Sequence, residues 1–159
     1  MHTVRSPLLV ACEVKALESE RHLMLSTDAL MTVADENGMQ SLHWMCMHGA
    51  SELLMIAMQK NADVHAVNSS LQTPLHLTIM RGQLACALVL LDAGAKPNAL
   101  DNEQRNSLHL AMQCSVKPSE STLLLLRLLQ LDSSLVRPAD ADKRTPLHYV
   151  VACVGPDLL

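Results

Sequence analysis

Residues 84–91 place Leu84, Ala87, Leu88 and Leu91 at spacing i, i+3, i+4, i+7, one apolar stripe of a helix. Ahead of it, Thr73-Pro74 opens a shorter helix in which Leu75, Thr78 and Ile79 face inward. Thr73 offers an oxygen to the unpaired amides of the first turn, and Pro74 loses nothing at the first helical position. Gly82 supplies the left-handed residue that ends this helix, and Gly94 ends the next. The stretch "KPNALDNEQR" then runs out as an extended turn. The predicted unit is helix, turn, helix, projecting loop. Alone it cannot bury its apolar face, so neighbours must stack on it.

The same unit recurs. "QSLHWMCMHGA" begins at Gln40, "NSLHLAMQ" at Asn106 and "TPLHYVVA" at Thr145. Aligned on the Leu-His pair, Leu42, Leu75 and Leu108 are 33 and 33 residues apart, and Leu147 follows after 39. Ser6-Pro7-Leu8-Leu9 fits the same frame, 34 residues before Leu42. Self-similarity at such a period marks stacked supersecondary units.

The signature residues are Leu42 and His43; Thr73, Pro74, Leu75 and His76; Leu108 and His109; Thr145, Pro146, Leu147 and His148. With the run from Thr73 to Asp101 they resemble the ankyrin repeat family, whose TPLHxA signature recurs about every 33 residues. The resemblance spans about residues 5–155. It implies an all-α, ankyrin-type solenoid of stacked helix-turn-helix repeats with projecting β-turn loops. We read residues 1–159 as one domain: a degenerate N-terminal cap over 1–34, units over 35–67, 68–100 and 101–139, and a partial unit over 140–159. The resemblance also implies that each signature histidine hydrogen-bonds the backbone of the neighbouring loop.

Several positions depart from the pattern. Asn61 replaces the glycine after the second helix, and Leu71, Gln104 and Lys143 stand where Gly38 occupies the turn. Different turn-tip geometry is therefore expected at those three. "STDALMTVAD" and "LDSSLVRPAD" each carry an extra residue and should make similar exits. Residues 115–121, "SVKPSES", lengthen the turn between the helices of the fourth unit. After "TPLHYVVACVGPDLL" no second helix covers the first, so a piece of a longer array is favoured over an unusual cap formed by residues 154–159.

Composition narrows the function. The charge is −4, with twelve Lys+Arg against sixteen Asp+Glu, and no basic cluster tracks a phosphate backbone. One Trp, one Tyr and no Phe leave nothing to stack bases on. Nucleic acid is not an expected ligand. No apolar run approaches the roughly 18 residues of a membrane span, and charge comes too early at the N-terminus for a secretory signal. The five cysteines include no CxxC, which predicts free thiols in a reducing, intracellular setting, cytoplasmic or nuclear.

Chemistry is not expected either. Copies of one slot on helices in contact lie about 8–10 Å apart, whereas zinc ligands sit about 2 Å from the metal. The four signature histidines therefore make no metal site, and the same spacing keeps Cys12 and Cys46 from bridging. No nucleophile elbow, P-loop, Rossmann glycine pattern or HExxH occurs. No catalytic residue, cofactor or small-molecule substrate is expected.

What remains is binding. Stacked repeats present loop tips and first-helix faces to partners. The positions carrying no structural letter include Glu36, Asn37, Met39, Ser69, Ser70, Gln72, Asn102, Glu103, Arg105, Ala141, Asp142 and Arg144 at the tips. On the first helices they are Glu13, Met47, His48, Met80, Arg81, Gln113 and Cys114. From these, Met39, Met47, His48, Gln72, Met80, Arg81, Arg105 and Gln113 are the candidate partner contacts. Exposed Met suits adaptable apolar contact, and Arg81 and Arg105 suit a partner carboxylate. Trp44 stands where Leu77 and Leu110 do and is expected in the core with its indole N–H on a backbone acceptor. The predicted function is a protein-interaction module recognising a peptide or protein surface. The alternative is a regulatory or substrate-recruiting segment of a larger enzyme.

Overall fold

The computed structural model describes residues 6–26, 32–113 and 118–149. Among them, helices come in pairs. These are α1 (Pro7–Glu13) with α2 (Leu17–Ser26), α3 (Ser41–His48) with α4 (Ser51–Gln59), α5 (Pro74–Met80) with α6 (Leu84–Asp92), and α7 (Ser107–Gln113) with α8 (Pro118–Leu131). A 3-10 turn, Ser133–Val136, follows, and residues 146–149 are helical. Each helix packs on its mate. The odd-numbered helices also stack in one row, α1 on α3 on α5 on α7, and the even-numbered ones in a second row.

The inner helices start as the sequence dictates. Ser6 accepts from Leu9 N–H at 3.2 Å and Thr73 from His76 N–H at 3.4 Å. Gly49 and Gly82 follow α3 and α5 in left-handed conformation, φ 73° and 66°. One core runs through all the pairs, from Leu8 through Leu42, Leu54, Leu75, Leu90 and Leu108 to Leu128 and Leu135. Its width comes from two helix rows, and it is continuous from one unit to the next. In α6 the buried side chains are Cys86, Ala87, Leu90 and Leu91, while Leu84 and Leu88 are half-buried. The stripe is thus turned slightly from the predicted one.

Three expectations need correction. The turn tips do not differ: Leu71, Gln104 and Lys143 adopt φ 57°, 61° and 64°, close to Gly38 at 72°. The fold imposes the left-handed turn whatever side chain stands there. At Gly38 a side chain would also crowd the next loop, because an added Cβ would lie 2.9 Å from Ser69 N. The "SVKPSES" segment does not simply lengthen a turn, since Pro118–Ser121 form the first turn of α8, where proline is tolerated. Trp44 packs against the core only partly buried, and its Nε1 is enclosed without a hydrogen-bond acceptor. Leu147, unlike its buried counterparts Leu42, Leu75 and Leu108, is 68 % exposed. The likeness expected between the two exits lies partly outside the described residues, which omit 27–31.

Candidate functional site

Between one unit's outer helix and the next unit's inner helix, the chain projects a tight loop. Asp35 Oδ1 accepts from Asn37 N–H at 2.8 Å and Met39 N–H at 2.9 Å. Asn68 does the same for Ser70 and Gln72, Asp101 for Glu103 and Arg105, and Asp140 for Asp142 and Arg144. One side-chain oxygen thus closes each turn, the local pattern Asx residues favour. Successive loops are then laced together. Ser69 N–H donates to Asn37 O at 2.9 Å, Asn102 N–H to Ser70 O at 3.0 Å, and Ala141 N–H to Glu103 O at 2.9 Å.

The signature histidines hold loop to helix. His76 Nδ1 accepts from Thr73 N–H at 3.0 Å, and its Nε2 lies 3.1 Å from Ala99 O in the following loop. His109 repeats this with Asn106 N–H at 3.2 Å and Arg144 O at 3.1 Å. This pairing fits the neutral Nε2–H tautomer, with one ring nitrogen accepting and the other donating. His43 takes the Gln40 N–H at 3.1 Å, but its buried Nε2 faces the Ala66 and Gln72 carbonyls without closing a bond. Burial pushes all three histidines below their ordinary pKa. His148 accepts from Thr145 N–H at 3.1 Å and stays exposed.

The candidate partner contacts separate into two groups. Met39 is buried, 7 % exposed, under the Asn68 amide, whose Nδ2 is 3.5 Å from its sulfur. It is therefore no accessible anchor. Arg105 is committed as well. Its guanidinium meets Asp101 at 2.8 Å and Glu103 at 3.0 Å, and its side chain is only 11 % exposed. Burial works against that charge, but the two carboxylates outweigh it and raise the pKa. These two corrections have one cause: the loops consume their own polar groups. Arg144 likewise pairs with Asp142 at 3.3 Å.

The rest line the inner-helix face. Gln72 Nε2 reaches Met80 Sδ at 3.5 Å, and Arg105 Nη1 reaches Gln113 Oε1 at the same distance. Met80 is 40 % exposed and Met47, one helix away in the same repeat slot, is half-buried. His48 ends α3 and Arg81 caps α5. The His48 ring lies 5.9 Å from that of Trp44, tilted by 40°. Cys114 lies outside the described residues. Cys12, Cys46 and Cys86 are buried and in no disulfide, and burial pushes the Cys86 thiol up to about 11, so it is a poor nucleophile. Among the described residues no His, Cys, Asp or Glu group has metal-ligand geometry. None of the described helices is long and apolar enough to cross a membrane.

The residues passed over in the sequence are the loop closers Asp35, Asn68, Asp101 and Asp140. Their positions repeat at 33, 33 and 39, the spacing of the Leu-His pairs, and that coincidence was the available signal.

This laced-loop, two-row architecture agrees with comparison to known families: a model described as ankyrin repeats (3 copies) matches residues 8–101 and 42–134. The chain belongs to the ankyrin repeat family. Nuclear factor NF-kappa-B p105 subunit of Gallus gallus is 32 % identical over 137 residues, covering 82 % of this chain and 14 % of that protein. Palmitoyltransferase ZDHHC13 of Homo sapiens is 35 % identical over 78 residues, 48 % of this chain and 12 % of that protein. E3 ubiquitin-protein ligase KEG of Arabidopsis thaliana is 26 % identical over 131 residues, 82 % of this chain and 8 % of that protein. The chain thus spans 14 % or less of these relatives. Ankyrin repeats generally mediate protein–protein interaction and carry no catalysis of their own.

Proposed function

We propose that this ankyrin domain captures an extended peptide or loop of a partner protein along its inner-helix face, with an apolar side chain seated between Met47 and Met80. The carrying observation is the contrast on that face. Met80 is 40 % exposed with Met47 beside it in register, while the loop-tip groups around them are hydrogen-bonded among themselves. Unbranched thioethers adapt to varied apolar surfaces, and a few such anchors dominate binding in a ring of near-neutral polar contacts. Substituting Met47 and Met80 together by alanine is predicted to abolish partner capture from lysate with the melting temperature unchanged. Capture equal to that of the unsubstituted chain would refute the placement.

A second reading is favoured by the relatives themselves, since two of those named are enzymes many times longer than this chain. On that reading the domain recruits a substrate or regulator for catalysis encoded elsewhere. The same face does the binding in both.

A further inference from the structure

The inner helices α1, α3 and α5 stack in order, so the residues at their C-terminal ends form a row. That row reads Lys15, His48, Arg81. Lys15 follows the end of α1 at φ 56°, His48 closes α3, and Arg81 caps α5. Lys15 and Arg81 are exposed, and neither makes an ion pair among the described residues. We infer that this edge of the face binds a carboxylate-bearing side chain of the partner, an Asp or Glu adjacent to the apolar residue held by Met47 and Met80. The inference rests on the inner-helix reading above and gives the partner's chemistry.

Charge is the first argument. Two cations flank a half-buried imidazole, and among the described residues no acid is paired with either. Burial and then the Lys15 and Arg81 charges hold the His48 pKa down. A bound carboxylate relieves that repulsion. Each helix end favours a nearby cation, a contribution kept small here because α1, α3 and α5 have only seven, eight and seven residues. Of the neighbouring acids, Glu52 faces Arg21 at 3.7 Å across the α2–α4 side, and Glu18 lines the same cleft as that pair, beside Gly49 and Ala50.

Contrast is the second argument. At the loop edge the same residue types are spent internally, Arg105 on Asp101 and Glu103, Arg144 on Asp142. An acidic partner segment is repelled by Glu36 at the tips and attracted at the opposite edge, which fixes its direction across that face.

The test uses Trp44, the one tryptophan of the chain, whose ring lies 5.9 Å from that of His48. The probes are three synthetic capped peptides that alternate Leu with Glu, with Gln or with Lys, titrated against the whole chain. The Glu peptide is predicted to shift Trp44 fluorescence saturably, to weaken at about 0.5 M salt, and to bind better than the Gln peptide. The Lys peptide is predicted not to bind. Lys15→Gln and Arg81→Gln each weaken the Glu peptide about tenfold, the effect of losing one charge contact, with the melting temperature held. Equal binding of Glu and Gln peptides, both lost in the Met47/Met80 alanine variant, would overturn the acidic edge and leave the groove reading standing. The same shift from inorganic phosphate at equal concentration would overturn it in favour of a free-anion site. Failure of all three peptides would overturn it too, while lysate capture by the methionine variant still judges the groove.

Discussion

The two edges of the inner-helix face carry similar side chains put to opposite use. At the loop edge, Arg105 and Asp101 are locked together at 2.8 Å, and Asp101 also closes its turn. At the helix-end edge, Lys15 and Arg81 project with no such partner among the described residues. Polar groups that stiffen a repeat cannot also recognise a partner without first being torn away. Charge in a repeat protein is therefore informative only after the fold's own claims on it have been subtracted.

The sharpest way to break the contrast is to remove the loop's fastener. Asp101 is fully buried, accepts two backbone N–H bonds and pairs Arg105. Asp101→Ala strands those donors and takes from the half-buried Arg105 one of its two carboxylates, and is predicted to cost about 3 kcal/mol in urea unfolding. A loss below about 1 kcal/mol would mean the loop charges are ornamental.

Acid is the next lever. His43, His76 and His109 are buried with pKa values below 6.5, chiefly because burial disfavours their charge. Below that pH the unfolded chain takes up protons the fold refuses. Their stabilising state is thus fully present above about pH 6.5 and is lost as pH falls, by up to about 1.4 kcal/mol per pH unit for each histidine. Urea midpoints measured from pH 7.5 to 5 are predicted to drop below pH 6.5. Replacing His76 by Gln should flatten the slope.

Smaller effects sharpen the comparison. Leu71→Gly frees an exposed leucine from φ 57° and is predicted to stabilise by up to about 1 kcal/mol, after glycine's own entropy cost. Arg81→Gln, at the free edge, is predicted to move stability by less than about 0.5 kcal/mol.

What the sequence made legible follows from this division. The Leu-His slot, the helix starts at Thr73-Pro74 and the left-handed Gly82 depend on neighbours within a turn or two, and they read directly. Met39 did not. Its burial is set by Asn68, 29 residues on in the next loop, and a methionine at a loop tip looks accessible until the loops are laced. Arg105 lies four residues from Asp101, a spacing usually read on helices; here it joins two residues of one turn. Trp44 was placed correctly against the core, but no pattern could show that its Nε1 would be enclosed without an acceptor. The free edge was half legible: Arg81 and His48 stood out, whereas Lys15 joined them only once α1 was seen stacked on α3.

The most direct measurement is amide hydrogen exchange of the whole chain with and without a saturating Glu-Leu peptide. The account predicts slowed exchange in the last turns of α1, α3 and α5, around residues 12–15, 46–49 and 80–83, with the loop tips at 36–38, 69–71 and 102–104 unchanged. Protection confined to the loop tips would contradict it.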